Sequence, residues 1–260
     1  MAARPRRSCL TVPGDDERKL AKAAGIDADE VILDLEDAVA AHRKDAARAC
    51  VERALAELEW RAPTVAVRVN RGSTADLDLV RSARPDVVVL PKVESPDEAA
   101  GLPVPAEAQI ETALGLAECE RIAAAPGLEA LVLGPGDLAA SLGVPELTIG
   151  AGAHVEHALL RVLVAARAHG LAAVDGPYPV LDDEPGLRAS AARSRGLGYD
   201  GKWCIHPAQV AVCNELYRPT EAEIERARRI LGLDGVARLD GEMVDEANRR
   251  MAEAILARVR

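Results

Sequence analysis

Phenylalanine is absent from this 260-residue chain, and all aromatics together make up 2% of it. A core must therefore be built from Ala, Val, Leu and Ile, and a stacked aromatic platform for single-stranded nucleic acid has no residues to form it. Positive charge is also short. The formal net charge of −10 argues against a nucleic-acid partner or an anionic membrane surface. No stretch approaches the roughly 18 apolar residues of a membrane span, and no signal-peptide apolar run follows the basic start, Met1 to Arg7. Cysteine is sparse and unpatterned: Cys9, Cys50, Cys119, Cys204 and Cys213 contain no C-x-x-C and match no zinc spacing. Reduced, mostly buried thiols in a cytoplasmic protein are expected. The one basic cluster, Arg4, Arg6 and Arg7, reads as a solvated tail, with an Arg reaching a phosphate as the alternative.

What is present is apolar and regularly punctuated. Half of the residues are hydrophobic (49%), enough for one large α/β domain or two small ones. Eight short apolar runs read as strands: 7–12, 30–35, 65–70, 86–91, 107–112, 129–134, 171–175 and 201–206. Helical stretches alternate with them, near 15–25, 42–60, 74–84, 96–101, 115–125, 153–169 and 185–197. In the second, Ala46, Ala49, Cys50, Ala54 and Leu58 are spaced to share a face. Ile149, Gly150 and Gly152 mark a loop.

Eight such alternations predict an α/β fold, a (β/α)8 TIM barrel with a C-terminal helical extension. The runs are continuously apolar, as strands covered on both faces should be. A doubly wound open sheet is the alternative. The barrel is preferred because polar residues close nearly every run: Glu36, Arg68, Lys92, Glu111, Asp137, Asp175 and His206. Barrel active sites sit at those strand ends. Beyond the eighth run, helices are expected at 208–217 and 220–232, then a mobile Gly-bounded link, Gly232 to Gly241, and a last helix from Met243 to Arg260. The domain reading is a catalytic barrel over 1–231 and a linker with a lid helix over 232–260.

Glu111 and Asp137 each follow or close a strand-like run, and two carboxylates at neighbouring strand ends suit a hard divalent cation such as Mg²⁺. Taken singly, each is more commonly a cap or a turn residue. Glu36 and Asp37 either cap the next helix or hold metal-bound waters. Arg68 either pairs with Glu36 or binds substrate. Lys92 could serve a metal-free aldolase as a Schiff-base lysine, but the paired carboxylates favour the metal. His206 reads as a structural hydrogen-bonder, His154 and His157 suggest no metal site, and Asp175 either ends a strand or acts.

The chain resembles the citrate lyase beta-subunit-like family, within the group that includes malyl-coenzyme A lyases and class II 2-oxo-acid aldolases. The resemblance rests on Arg7-Ser8 with Val12-Pro13-Gly14, Val31 to Ala38 (VILDLEDA), Val67 to Asn70 (VRVN), Leu90 to Glu94 (LPKVE), Ile110-Glu111-Thr112, Gly134 to Leu138 (GPGDL), Cys204 to Pro207 (CIHP) and Gly241 to Asp245 (GEMVD), in family order. It implies a Mg²⁺-dependent (or Mn²⁺-dependent) lyase that makes or breaks a C–C bond next to a carbonyl. The implied substrate is a short hydroxyacyl-coenzyme A thioester of malyl or citryl type. The alternatives are a class II aldolase acting on 4-hydroxy-2-oxo acids, a thioesterase or malate synthase-like activity, and a citrate lyase subunit that needs an acyl-carrier partner. It further implies that Glu111 and Asp137 bind the metal and that Arg68 binds a substrate carboxylate or carbonyl oxygen. Gly136, Asp137, Glu36 and Lys92 would line the substrate. Asp245 falls where the family places a general acid/base, on a tail that closes over a neighbouring subunit of a homo-oligomer, a trimer or hexamer. Gly136 stands where the family often has Glu, which is closer to the aldolase branch.

Overall fold

A strand points successive side chains to opposite faces, so an apolar run can still carry charges into a barrel. In EVILD, Glu30, Ile32 and Asp34 share one face; in AEAQI and the residue after it, Glu107, Gln109 and Glu111 share another. A computed structural model of the chain describes residues 4–145 and 152–259. Its strands are β1 (Ser8–Pro13), β2 (Glu30–Asp34), β3 (Thr64–Arg68), β4 (Val87–Leu90), β5 (Ala106–Ile110), β6 (Leu128–Leu133), β7 (Ala172–Asp175) and β8 (Gly201–Cys204). They form a closed barrel in sequence order. β1 pairs in parallel with both β2 and β8, which excludes the open sheet.

The helices of the barrel are α1 (Glu17–Ala24), α2 (Lys44–Glu57), α3 (Thr74–Ala83), α4 (Ala113–Ala117), α5 (Cys119–Ala123), α6 (Pro135–Ser141), α7 (Ala153–Ala168) and α8 (Glu184–Leu197), with α9 (Pro207–Leu216) after β8. α1 starts where Asp16 accepts hydrogen bonds from the Arg18 and Lys19 N–H groups, an N-cap that satisfies two orphan donors. Among the described residues, no helix is long and apolar enough to cross a membrane.

Several local expectations are corrected. α2 buries Ala47, Val51 and Ala54, not the Ala46–Ala49–Cys50 stripe. Small residues tolerate either environment, and the branched Val51 decides which way the helix faces. The stretch 115–125 is broken at Glu118 into α4 and α5, and 96–101 is a 3₁₀ turn over Pro96–Ala99. The expected loop residues Ile149 and Gly150 lie outside the described residues.

The barrel's centre is apolar: Cys9, Ile32, Ala66, Val87, Val89, Val132, Val174 and Trp203 form one buried cluster. Its N-terminal end is ionic, which overturns the solvated-tail reading of the basic cluster. Arg6 is 3% exposed, and Glu30 and Glu107 are fully buried. Arg6 Nε lies 2.5 Å from Glu107 Oε1 and 3.6 Å from Glu30 Oε2, and its Nη2 is 2.9 Å from Glu129 Oε2. Arg7 grips Asp29 at 2.8 and 2.7 Å, and Arg4 reaches Glu129 at 3.2 Å. These acids lie in or just before strands distant in sequence, so composition at the terminus carried no sign of them.

The chain divides into two compact units between Asn214 and Glu215. The second holds α10 (Glu221–Leu231), a hairpin of β9 (Ala237–Leu239) and β10 (Glu242–Val244), and α11 (Glu246–Ala257). Its core joins Ala227, Ile230, Leu239, Val244 and Ala252. The expected mobile link is therefore partly an antiparallel hairpin, and the last helix begins at Glu246, not Met243. The cause is the Asp240-Gly241 turn, with φ of 50° and 91°. Two consecutive positive φ values suit a two-residue hairpin turn, for which Asp-Gly is a preferred pair.

Candidate active site

Asp34 closes β2 with its carboxylate fully buried. It turns the chain after the strand, accepting from the N–H groups of Glu36 (2.8 Å) and Ala38 (3.1 Å). Its register partner on β3 is Arg68. Arg68 Nε donates to Asp34 Oδ1 at 2.7 Å and Nη2 to Oδ2 at 2.6 Å. The remaining edge, Nη1, lies 3.0 Å from Glu36 Oε2 and 3.4 Å from Gln109 Oε1. The guanidinium also sits over the Trp203 ring, 5.6 Å from its centroid, within cation–π range.

Glu36 bridges two cations, because its other oxygen accepts from Lys92 Nζ at 2.5 Å. Asp37 adds a weaker contact to the same ammonium at 3.3 Å, and neither acid caps α2. Lys92 lies just past β4 with φ of 53°. Its N–H donates to Glu111 Oε1 at 2.9 Å, and its ammonium lies 3.8 Å from Asp137 Oδ1. Burial works to lower the Lys92 pKa, but the hydrogen bond and charge of Glu36, with Glu111 and Asp137 behind it, raise it above the ordinary value. An ammonium held protonated in this way is a poor Schiff-base nucleophile.

Glu111 follows β5 and is 2% exposed. Burial, then the charge of Asp137, pushes its carboxyl up to about 7. Asp137 sits in the first turn of α6 and is more open to solvent, its side chain 44% exposed. Room for the Glu111 side chain comes from Gly134, where an added Cβ would lie 2.2 Å from Glu111 Oε2 and 2.4 Å from its Cβ. A buried carboxylate beside a second one, each with oxygens unclaimed by a strong cation, is a donor set that fits a hard divalent ion. Among the described residues, no three His, Cys, Asp or Glu side chains converge as a ready-made cage.

The structure thus gathers Glu36, Arg68, Lys92, Glu111 and Asp137 at the C-terminal mouth of the barrel, with Gly136 beside Asp137. Asp245 lies in the second unit, where it is the N-cap of α11 and accepts from the Ala247 and Asn248 N–H groups. Asp175 pairs with Lys202 at 2.5 Å, buried. His206 Nδ1 accepts from the Ala208 N–H, a local structural bond. Sequence reasoning missed Asp34, Gln109 and Trp203 as partners of Arg68. Strand parity was the available signal for the first two: Asp34 follows Glu30 and Ile32 at steps of two, and Gln109 stands between Glu107 and Glu111.

An eight-stranded parallel barrel with acids and cations gathered at the strand C-termini defines the class: a (β/α)8 enzyme. The chain belongs to the HpcH/HpaI aldolase/citrate lyase family, whose model matches residues 7–207. It is 40% identical over 277 residues to a (3S)-malyl-CoA thioesterase of Cereibacter sphaeroides, covering 98% of this chain and 95% of that one. It is 36% identical over 301 residues to the L-malyl-CoA/beta-methylmalyl-CoA lyase of Cereibacter sphaeroides, covering 98% and 94%. Among solved structures, CitE of Mycobacterium tuberculosis in complex with magnesium, acetoacetate and coenzyme A superposes with a TM-score of 0.84 at 34% identity, covering 99% and 98% of the two chains.

Proposed function

We propose that this enzyme is a Mg²⁺-dependent lyase that cleaves or forms the C–C bond of a short hydroxyacyl-coenzyme A thioester of malyl type. The observation that carries this is the Glu111–Asp137 pair beside the fixed guanidinium of Arg68. The relatives that act on malyl-coenzyme A, and the solved relatives that hold magnesium, support it. Mn²⁺ is expected to substitute.

Glu111 and Asp137 would hold the cation. A bound divalent ion supplies Lewis acidity where charge builds on the carbonyl oxygen of a 2-oxo acid. Arg68, held in place by Asp34, presents its Nη1 edge to a substrate oxygen, and a guanidinium adds a permanent positive charge there. Glu36 and Lys92 keep that edge of the site charged and ordered. Backbone N–H groups at Gly136 and Asp137 face a carboxylate at close approach, since Gly136 has no side chain to interfere. Asp245 carries the proton: in cleavage it takes the hydroxyl proton and delivers it to the enolate carbon of the departing acyl thioester, and in condensation the same transfer runs in reverse, from the α-carbon to the new hydroxyl oxygen.

We place Asp245 over the site of a neighbouring subunit in a homo-oligomer, a trimer or hexamer, in a cytoplasmic enzyme with reduced thiols. Because Asp245 also caps α11, Asn is the informative replacement: it caps as well as Asp does but cannot move the proton. Mixing Asp245→Asn with Arg68→Ala should restore activity in hybrid oligomers. Demonstrated subunit exchange with no recovery overturns the arrangement in trans.

The test of the reaction is a product analysis on malyl-coenzyme A. C–C cleavage gives acetyl-coenzyme A and glyoxylate; thioester hydrolysis gives free coenzyme A and malate. The second outcome is a specific alternative because the 40%-identical relative is named a thioesterase. Turnover of 4-hydroxy-2-oxo acids alone would move the assignment to the aldolase branch.

A further inference from the structure

Of the five free cysteines, two lie against each other. Cys204 ends β8, and Cys213 sits two turns into α9. Both are fully buried, and their sulfurs are 3.6 Å apart with Cys204 donating. A disulfide needs about 2.05 Å, so the sulfurs are roughly 1.5 Å from bonding distance. The pair has no part in the site described above. It does adjoin the segment that shapes one side of the barrel mouth. Gln209 of α9 accepts from the Ile205 N–H at 2.9 Å and donates to the Tyr178 carbonyl at 2.9 Å. One side chain thereby ties α9 to the turn after β8 and to the loop after β7.

We propose that Cys204 and Cys213 are a reversible dithiol–disulfide site, oxidised by a small peroxide, whose closure draws α9 against β8 and displaces Gln209 from Ile205. The hydrogen bond between the thiols polarises them. The bond it donates and its burial raise the Cys204 thiol, while the bond it receives lowers Cys213. Either thiol can attack first and both orders give the same disulfide; Cys213, the acceptor in the 3.6 Å contact, is taken as the attacker. Its thiolate attacks one oxygen of hydrogen peroxide, the O–O bond breaks, and hydroxide leaves to become water on taking up a proton. The Cys204 sulfur then attacks the Cys213 sulfenic sulfur. The S–O bond breaks, and the hydroxyl leaves as water with the Cys204 proton. Two electrons and two protons pass from the thiols to the peroxide, giving one disulfide and two waters. The more accessible thiol is Cys50, half-buried and in contact with Glu17 and Arg53.

The test uses the full chain under native conditions, titrated with hydrogen peroxide and followed by intact mass, non-reducing peptide mapping and circular dichroism. The expected result is a Cys204–Cys213 cross-linked peptide that has lost the mass of two hydrogens. It should be reversed by dithiothreitol, form while the far-ultraviolet signal is native, and be absent in Cys213→Ala and Cys204→Ala. In the cross-linked protein the Ile205 amide, now protected by Gln209, should exchange with deuterium at least several-fold faster. Cys50 oxidised without the cross-link overturns the proposal, as does a cross-link that appears only after the native signal is lost. Unchanged Ile205 exchange in fully cross-linked protein overturns the coupling to α9.

Discussion

Arg68 and Asp34 form a two-point ion pair at the mouth of the barrel, 2.7 and 2.6 Å long, between residues that face each other in the β2–β3 register. The pairing fixes the plane of the guanidinium, so the Nη1 edge has one direction in which to point. Asp34→Ala should leave that cation buried with Glu36 as its remaining carboxylate partner. Loss of one member of a buried pair costs about 3–5 kcal/mol, which urea unfolding will measure. Arg68→Lys should not rescue function, since an ammonium cannot span both Asp34 oxygens and still reach Glu36. Near-normal kcat/KM in Arg68→Lys would make Arg68 peripheral.

Glu111 and Asp137 give a direct metal prediction. Exhaustive chelation should abolish turnover, and Mg²⁺ should restore it. Glu111→Gln and Asp137→Asn should each lose Mg²⁺ binding by calorimetry while circular dichroism stays native. Gly134→Ala should have the same effect by a different route. Its backbone angles suit alanine (φ −103°), so the damage comes from the Cβ meeting the Glu111 side chain. Unimpaired binding in Gly134→Ala would show that Glu111 has room to move.

Lys92 should form no covalent adduct. The bond to Glu36 holds its ammonium protonated, so borohydride added during turnover should leave the enzyme mass unchanged. A reduced adduct at Lys92 would replace the metal reading with Schiff-base chemistry.

The barrel's N-terminal end should make stability fall as pH rises. Burial, and then the charge of Glu107, hold the Glu30 carboxyl well above its ordinary range. The folded state therefore keeps a proton there that the unfolded chain releases above the usual carboxylate pKa. Where the folded state binds more protons, stability declines with increasing pH. The contribution is intact at pH 4 and below and is lost progressively above that. Glu30→Gln, neutral and of the same shape, should remove this dependence. Melting temperatures measured upward from pH 5 should show the variant gaining on the natural protein until the folded-state carboxyl itself ionises. A constant gap would mean that Glu30 is ionised when folded.

The barrel was legible in the sequence for a local reason. Eight apolar runs, seven of them closed by a polar residue, already state strand number, direction and which end carries the chemistry, because parallel strands joined by helices put every C-terminus on one face. That position alone put Glu111, Asp137, Arg68, Lys92 and Glu36 at the strand ends; the roles expected of them came from the resemblance. The β9–β10 hairpin was also written in the chain, as Asp240-Gly241, although it was read as a loose link.

What only the tertiary structure decided is who meets whom. Composition could not tell that Arg6 is buried against Glu30 and Glu107 rather than solvated, or that Arg68 donates its two strong bonds to Asp34 and turns only its last edge to Glu36. It could not bring Cys204 and Cys213 into contact, or tell that Gly134 is the space in which Glu111 lies. Residue type and spacing set the strands and their ends, since those depend on neighbours in the chain. Pairing depends on register and barrel closure, which place side chains from different strands a few ångströms apart, and that distance is what turns a carboxylate into a cap, an ion pair or a metal ligand.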